Sequence, residues 1–125
     1  MRRLATLLGN PQAILVHHIP DSDTWRVVTA INVSRLPQQV NIDTGLLTRL
    51  TENNSADYVA FSADDCPAED LFYQVFDTDH VIENFPVWQG GQLIGFVAFA
   101  SKSPLIEQTK MRLIKAAVRA LVNLP

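Results

Sequence analysis

A chain of 125 residues fits one domain, 1–125, and can bury a core large enough to fold without disulfides or metal. Apolar residues make up 47% and charged residues 18%, the balance of a folded globular protein, which excludes intrinsic disorder. The net charge of −3 hides a segregation: no Lys or Arg lies between Leu50 and Ser101, where Glu52, Asp57, Asp64, Asp65, Glu69, Asp70, Asp77, Asp79 and Glu83 fall, so the middle of the chain is a poor nucleic-acid surface.

Lys102, Lys110, Arg112, Lys115 and Arg119 crowd the C-terminal segment, but without interleaved aromatics or a recognition motif, and no nucleic-acid partner is expected. The lone Cys66 cannot form an intramolecular disulfide, and a reducing, cytoplasmic setting is the default. The apolar run Leu4 to Leu8 is too short for a signal peptide and ends at Gly9-Asn10-Pro11. No segment approaches the roughly 18 apolar residues of a membrane span, so no membrane partner is expected.

In chain order, Arg2 to Leu8 reads as a short helix with Leu4, Leu7 and Leu8 on one side. Ala13 to Ile19 reads as a buried strand, and Pro20 to Asp23 as a turn. The run after it sets Trp25, Val27, Thr29, Ile31 and Val33 against Arg26, Val28, Ala30 and Asn32, the partner strand of a hairpin. Asp43 is a candidate N-cap for a helix to about Glu52. Asp57 to Ser62 is a short strand, and Ala63 to Glu83 is irregular, with a turn of helix from Pro67 and a strand at Leu71 to Phe76.

Asn84 to Ser101, NFPVWQGGQLIGFVAFAS, reads as a hairpin closed by Gly90-Gly91, with Gly95 in the middle of its second strand. A glycine there implies that another element comes too close for a side chain. The last helix is expected from near Ser103, where Ser-Pro supplies an N-cap and N1 residue, to about Val122. Met111, Ile114, Val118 and Leu121 form one apolar edge, and Leu113, Ala117, Ala120 and Leu124 an adjoining one. An arc that wide suits a helix sunk between sheet and neighbour, or one that packs on the sheet and on a second copy; the Met111, Ile114, Val118 and Leu121 edge is the candidate homodimer interface.

The run FPVWQGGQLIGFVAFAS followed by an amphipathic helix resembles the C-terminal half of a GAF domain, and the preceding order of helix, hairpin, helix and strand is similar as well. The resemblance implies an α/β domain of the α+β type: a GAF-like antiparallel sheet of five to six strands, with terminal helices on one face and loops roofing a small-molecule pocket on the other. Gly95 would then lie where the last helix crosses the sheet. GAF domains commonly sit upstream of histidine kinases, diguanylate cyclases or transcription activators, and the fold alone assigns no ligand.

The constellation of the cyclic-nucleotide-binding members is not found. Asp64 and Cys66 stand in the order of a bilin-attachment motif, but Pro67 replaces its aromatic residue, and the methionine-sulfoxide-reducing members need more than one cysteine. The region that would roof the pocket carries the candidate ligand-binding residues Tyr58, Phe61, Cys66, Phe72, Tyr73, Phe76 and His80. Aromatics at this density also make plain core. The missing cations disfavour a phosphate or carboxylate anchor from this segment and favour a neutral or cationic molecule, unless Arg26 or Arg35 supplies one.

The other polar constellations read more simply. His17 and His18 are adjacent on a strand, so they point to opposite faces and cannot chelate one metal together. Asp64, Asp65, Cys66, Asp77, Asp79 and His80 have no recognised ligand spacing and read as a solvated acidic loop, so no metal is expected. Asp64 and Asp65 beside Cys66, if ionised, are expected to raise its thiol pKa, the opposite of a nucleophile's need. No catalytic residue is assigned. Function is expected to be that of a non-catalytic regulatory sensor domain, with the ligand unknown. The alternatives are a ligand-free dimerisation module and a small enzyme using the Asp77 to His80 segment.

Overall fold

The computed structural model describes residues 1–9, 11–21, 24–33, 39–41, 58–62, 75–76, 80–102 and 106–123. The elements are α1 (Arg2–Leu7), β1 (Gln12–His18), β2 (Thr24–Ile31), β3 (Gln39–Asn41), β4 (Val59–Ser62), β5 (Val81–Gln89), β6 (Gln92–Ser101) and α2 (Gln108–Val122). The strands form one six-stranded sheet in the order β3-β2-β1-β6-β5-β4, and every pairing is antiparallel. No described helix is long and apolar enough to cross a membrane.

Position in the sheet accounts for the hydrophobic runs. β1 and β6 are the two middle strands, covered on both faces, so Ala13 to Val16 and Phe96 to Ala100 are buried without interruption rather than alternating. The β5–β6 hairpin closes through Gly90 and Gly91, whose φ angles of +59° and +79° give the two left-handed residues that a type I′ turn requires. Pro86 is tolerated in β5 because β4 pairs with it only over Val81 to Asn84, so the missing N–H breaks no bond on that flank.

Two apolar clusters lie on opposite faces. On one face Leu4, Ala5 and Leu8 of the α1 segment and Ile114, Val118 and Val122 of α2 pack against Ala13, Leu15, Phe85, Val87, Val97 and Phe99. On the other, Ile14, Val16, Trp25, Val27, Ile82, Leu93, Phe96, Ala98 and Ala100 are joined by Val75 and Phe76 from outside the sheet. Both terminal helices therefore sit on one side of the sheet, as expected.

Several local expectations change. Leu7 is 70% exposed, because α1 buries Leu4, Ala5 and Leu8 and turns Leu7 outward. The expected alternation of β2 breaks at Val28: Leu15 pairs with Thr29 but Val16 with Val27, so Val28 is the extra residue of a β-bulge. Trp25 and Val27 thus face one cluster and Ile31 the other. β5 starts at Val81 rather than Asn84, and in place of a strand ending at Phe76, Val75 is helical and Phe76 lies in a bend.

The last helix starts at Gln108, not near Ser103, with Glu107 as an N-cap that makes no side-chain capping bond. Tertiary contact overrides the local Ser-Pro signal: the Ile106 N–H donates to the buried Glu83 carboxylate, which holds the chain outside the helix at that point. The helix expected from Asp43 to Glu52 lies outside the described residues, as does most of the irregular segment after Ser62.

Candidate functional site

Strand β5 carries one chemistry to each face of the sheet. Its even-numbered residues Ile82, Asn84, Pro86 and Trp88 point to the face away from the terminal helices, and Glu83, Phe85 and Val87 point towards them. Asn84 and Glu83, adjacent in sequence, are both fully buried.

On the face away from the helices, the described side chains around Asn84 are apolar. Its cross-strand neighbours are Val59 on β4 and Ala98 on β6, and Ile82 and Pro86 flank it along β5. Phe61 and Trp88 are half-buried against the same cluster, whose aromatic members include Phe76, Phe96 and Trp25. Among the described residues, neither Oδ1 nor Nδ2 of Asn84 has a hydrogen-bond partner. Leaving such a group unsatisfied costs about 1–3 kcal/mol, so a stranded carboxamide in a strand core calls for an explanation beyond packing.

On the helix face, Glu83 is satisfied. The Tyr58 hydroxyl donates to Glu83 Oε2 at 2.9 Å, and the Ile106 backbone N–H donates to the same oxygen at 3.3 Å. Tyr58 also packs on Phe85, with ring centroids 5.2 Å apart, and Phe85 meets Phe99 edge-on at 6.0 Å. Burial, then the hydrogen bond and negative charge of Glu83, push the Tyr58 hydroxyl up to about 12. The two bonds tie the start of β4 and β5 to Ile106, two residues before α2.

The candidate ligand residues therefore divide. Phe61 and Phe76 come together on the face away from the helices. Tyr58 does not join them: strand alternation places it on the helix face, bonded to Glu83. His80 is half-buried immediately before β5, and Cys66, Phe72 and Tyr73 lie outside the described residues. Sequence reasoning missed Asn84, Trp25, Trp88 and Phe96 on the same face. The signal for Asn84 was present: within VIENFPVWQ it is the one polar residue among the alternate positions Ile82, Asn84, Pro86 and Trp88.

The candidate interface edge also changes role. Ile114 and Val118 are 2% and 1% exposed, packed against the chain's own sheet, with Met111 and Leu121 half-buried beside them. The outward edge of α2 instead carries Leu113, 66% exposed, with Ala120. The helix is rotated so that the edge assigned to a second copy is consumed by the core.

Gly95 lies on the helix face. A Cβ there would stand 2.7 Å from the Val16 carbonyl oxygen, 2.8 Å from Val122 Cγ1 and 3.3 Å from the His17 ring. The last turn of α2 crosses the sheet at that point, as the mid-strand glycine implied. His17 and His18 point to opposite faces: His18 meets the Trp25 ring at 4.9 Å, while His17 lines a cleft of about 280 Å³ with Met1, Leu15, Arg26, Val28, Thr29 and Leu121. Burial and then Arg26 lower the His17 pKa below its ordinary value, and its buried Nε2 has no partner among the described residues. Among the described residues, no three His, Cys, Asp or Glu side chains converge on a metal position.

No protein-family model matches the chain, and no curated protein matches it in sequence. Solved structures do. The GAF domain of A. aeolicus NLH2 in an inactive state is 11% identical, with a TM-score of 0.56 over 98% of this chain and 75% of that one. The GAF domain/HD domain protein from Geobacter sulfurreducens is 12% identical, with a TM-score of 0.57 over 97% of this chain and 86% of that one. An IclR transcriptional regulator from Alicyclobacillus acidocaldarius is 12% identical, with a TM-score of 0.54 over 97% of this chain, which spans 61% of that protein. At such identities the likeness is one of fold. Sheet order, helix placement and these neighbours together give the chain a GAF-like α/β fold.

Proposed function

We propose that the protein is a non-catalytic regulatory sensor domain. It binds a small molecule on the sheet face away from the terminal helices and passes that occupancy through α2 to an output domain. The observation that carries this reading is the Tyr58–Glu83–Ile106 link. It fastens β5, whose opposite side borders the aromatic cluster, to the segment that enters α2. A ligand that shifts β5 alters the geometry of Glu83, and α2 responds to the extent that the ligand favours one arrangement over the other. The solved neighbours support the sensor reading through names that join this fold to an HD domain or to transcription regulation.

Exposure of the protein to a small-molecule cell extract, followed by native mass spectrometry, tests this reading. A discrete added mass of one molecule per chain is expected; a chain that stays bare in extracts from several sources counts against a sensor. The second reading, a ligand-free dimerisation module, is favoured by the exposed Leu113 beside Ala120 on the outward edge of α2. Sedimentation of the wild type and Leu113→Lys separates the two: a dimer that dissociates in the variant, with no added mass in the native spectrum, selects the second.

A further inference from the structure

We propose that Asn84 is the polar anchor of the ligand, and that the ligand is an uncharged, planar molecule with an aromatic or apolar body and one amide-type edge. By such an edge we mean an N–H donor beside a carbonyl or ring-nitrogen acceptor. The inference rests on the sensor reading above and adds the chemical class of what is sensed.

The carboxamide of Asn84 offers one acceptor and two donor hydrogens on a single plane, and its geometry suits a paired donor–acceptor edge. No described side chain beside it uses it. Val59, Ala98, Ile82 and Pro86, its neighbours across and along the strands, have no side-chain polar atom, and both of its polar atoms are buried and unpartnered. Ala98 beside Asn84 and Ala100 beside Ile82 present only methyl groups, so the sheet surface is low there. Phe61, Phe76, Phe96 and Trp88 supply apolar and π surface on the same face, which suits a flat body.

Charge narrows the class. The stretch that forms β4, β5 and β6 contains no Lys or Arg before Lys102, and Arg26 alternates to the helix face, where it lines the His17 cleft. Against the described residues alone, a phosphate or carboxylate would be buried there without an opposite charge, which is costly. The nearest described acid, Glu83, points to the other face and is bonded to Tyr58 and Ile106, so it gives a cationic ligand no partner. Among the described residues, a neutral amide edge is what this face matches.

Three probes of similar size separate the possibilities: benzamide, benzoate and toluene, titrated into isotope-labelled protein and followed by NMR. The wild type is expected to bind benzamide with shifts of the Asn84 side-chain NH2 resonances and intermolecular NOEs to Phe61, Phe76 or Trp88. Asn84→Leu is expected to bind benzamide about tenfold more weakly, the loss for one to two neutral hydrogen bonds, and to keep its affinity for toluene. If toluene binds but benzamide leaves the Asn84 NH2 group unmoved, or if benzoate binds better, the anchor is wrong and the sensor reading stands. If none of the three binds and Asn84 shows NOEs to trapped water only, both fall. Should Asn84→Leu not fold, Asn84→Ala takes its place, and the wild-type NH2 shifts decide the question without any variant.

Discussion

A methyl group at position 95 would meet the Val16 carbonyl oxygen, a backbone atom that cannot swing aside, and the side chain of Val122 on α2. Gly95→Ala is therefore expected to lower stability by about 1–3 kcal/mol, the range for overpacking a tight core, as read by denaturant titration. Asn84→Leu should act in the opposite direction: removal of an unsatisfied buried carboxamide gives up to about 1–3 kcal/mol in the ligand-free protein, with a higher melting temperature. Tyr58 provides a pH test. Its proton is held to about 12 in the fold, against an ordinary 10 when unfolded. Between those values the unfolded chain binds fewer protons than the native one, so this contribution is complete below pH 10 and is lost as pH rises towards 12. Tyr58→Phe should flatten that alkaline slope in a stability-against-pH curve and destabilise the protein at neutral pH. His17 acts at the acid end: its lowered pKa favours the neutral ring, so its contribution is present above 6.5 and fades below it.

At the scale of elements, the β5–β6 hairpin was legible because local chemistry dictates it. Gly90-Gly91 is the turn, and Gly95 has no steric alternative where α2 crosses. The start of α2 was not legible, since Ser103-Pro104 is a sound cap signal and the contact that overrides it comes from Glu83, more than twenty residues earlier. The face of Tyr58 and the rotation of α2 were misread for a related reason. Pattern gives the period of an element but not which neighbour it meets, so Ile114 and Val118 read as an interface while packing on the chain's own sheet. The bulge at Val28 likewise follows from pairing with β1 and leaves no mark in β2 alone. Glu83→Gln is expected to weaken the hold on Ile106, and faster amide exchange at Ile106 and in the first turn of α2 would show it.

For the molecule as a whole, the sheet separates two apolar faces of different make-up. One face is covered by α1 and α2, whereas the other carries an aromatic-rich cluster and the unpaired carboxamide of Asn84. Adjacent residues of β5 connect the two, with Asn84 towards the proposed ligand and Glu83 towards the helix that would carry the signal. Amide hydrogen exchange, measured residue by residue with the proposed pocket empty and then saturated with benzamide, tests this connection most directly. The account predicts altered protection at Ile106 and the first turn of α2 in the wild type, and no such change in Glu83→Gln at equal occupancy. Saturation that leaves α2 unchanged in the wild type, or changes it equally in both, would contradict it.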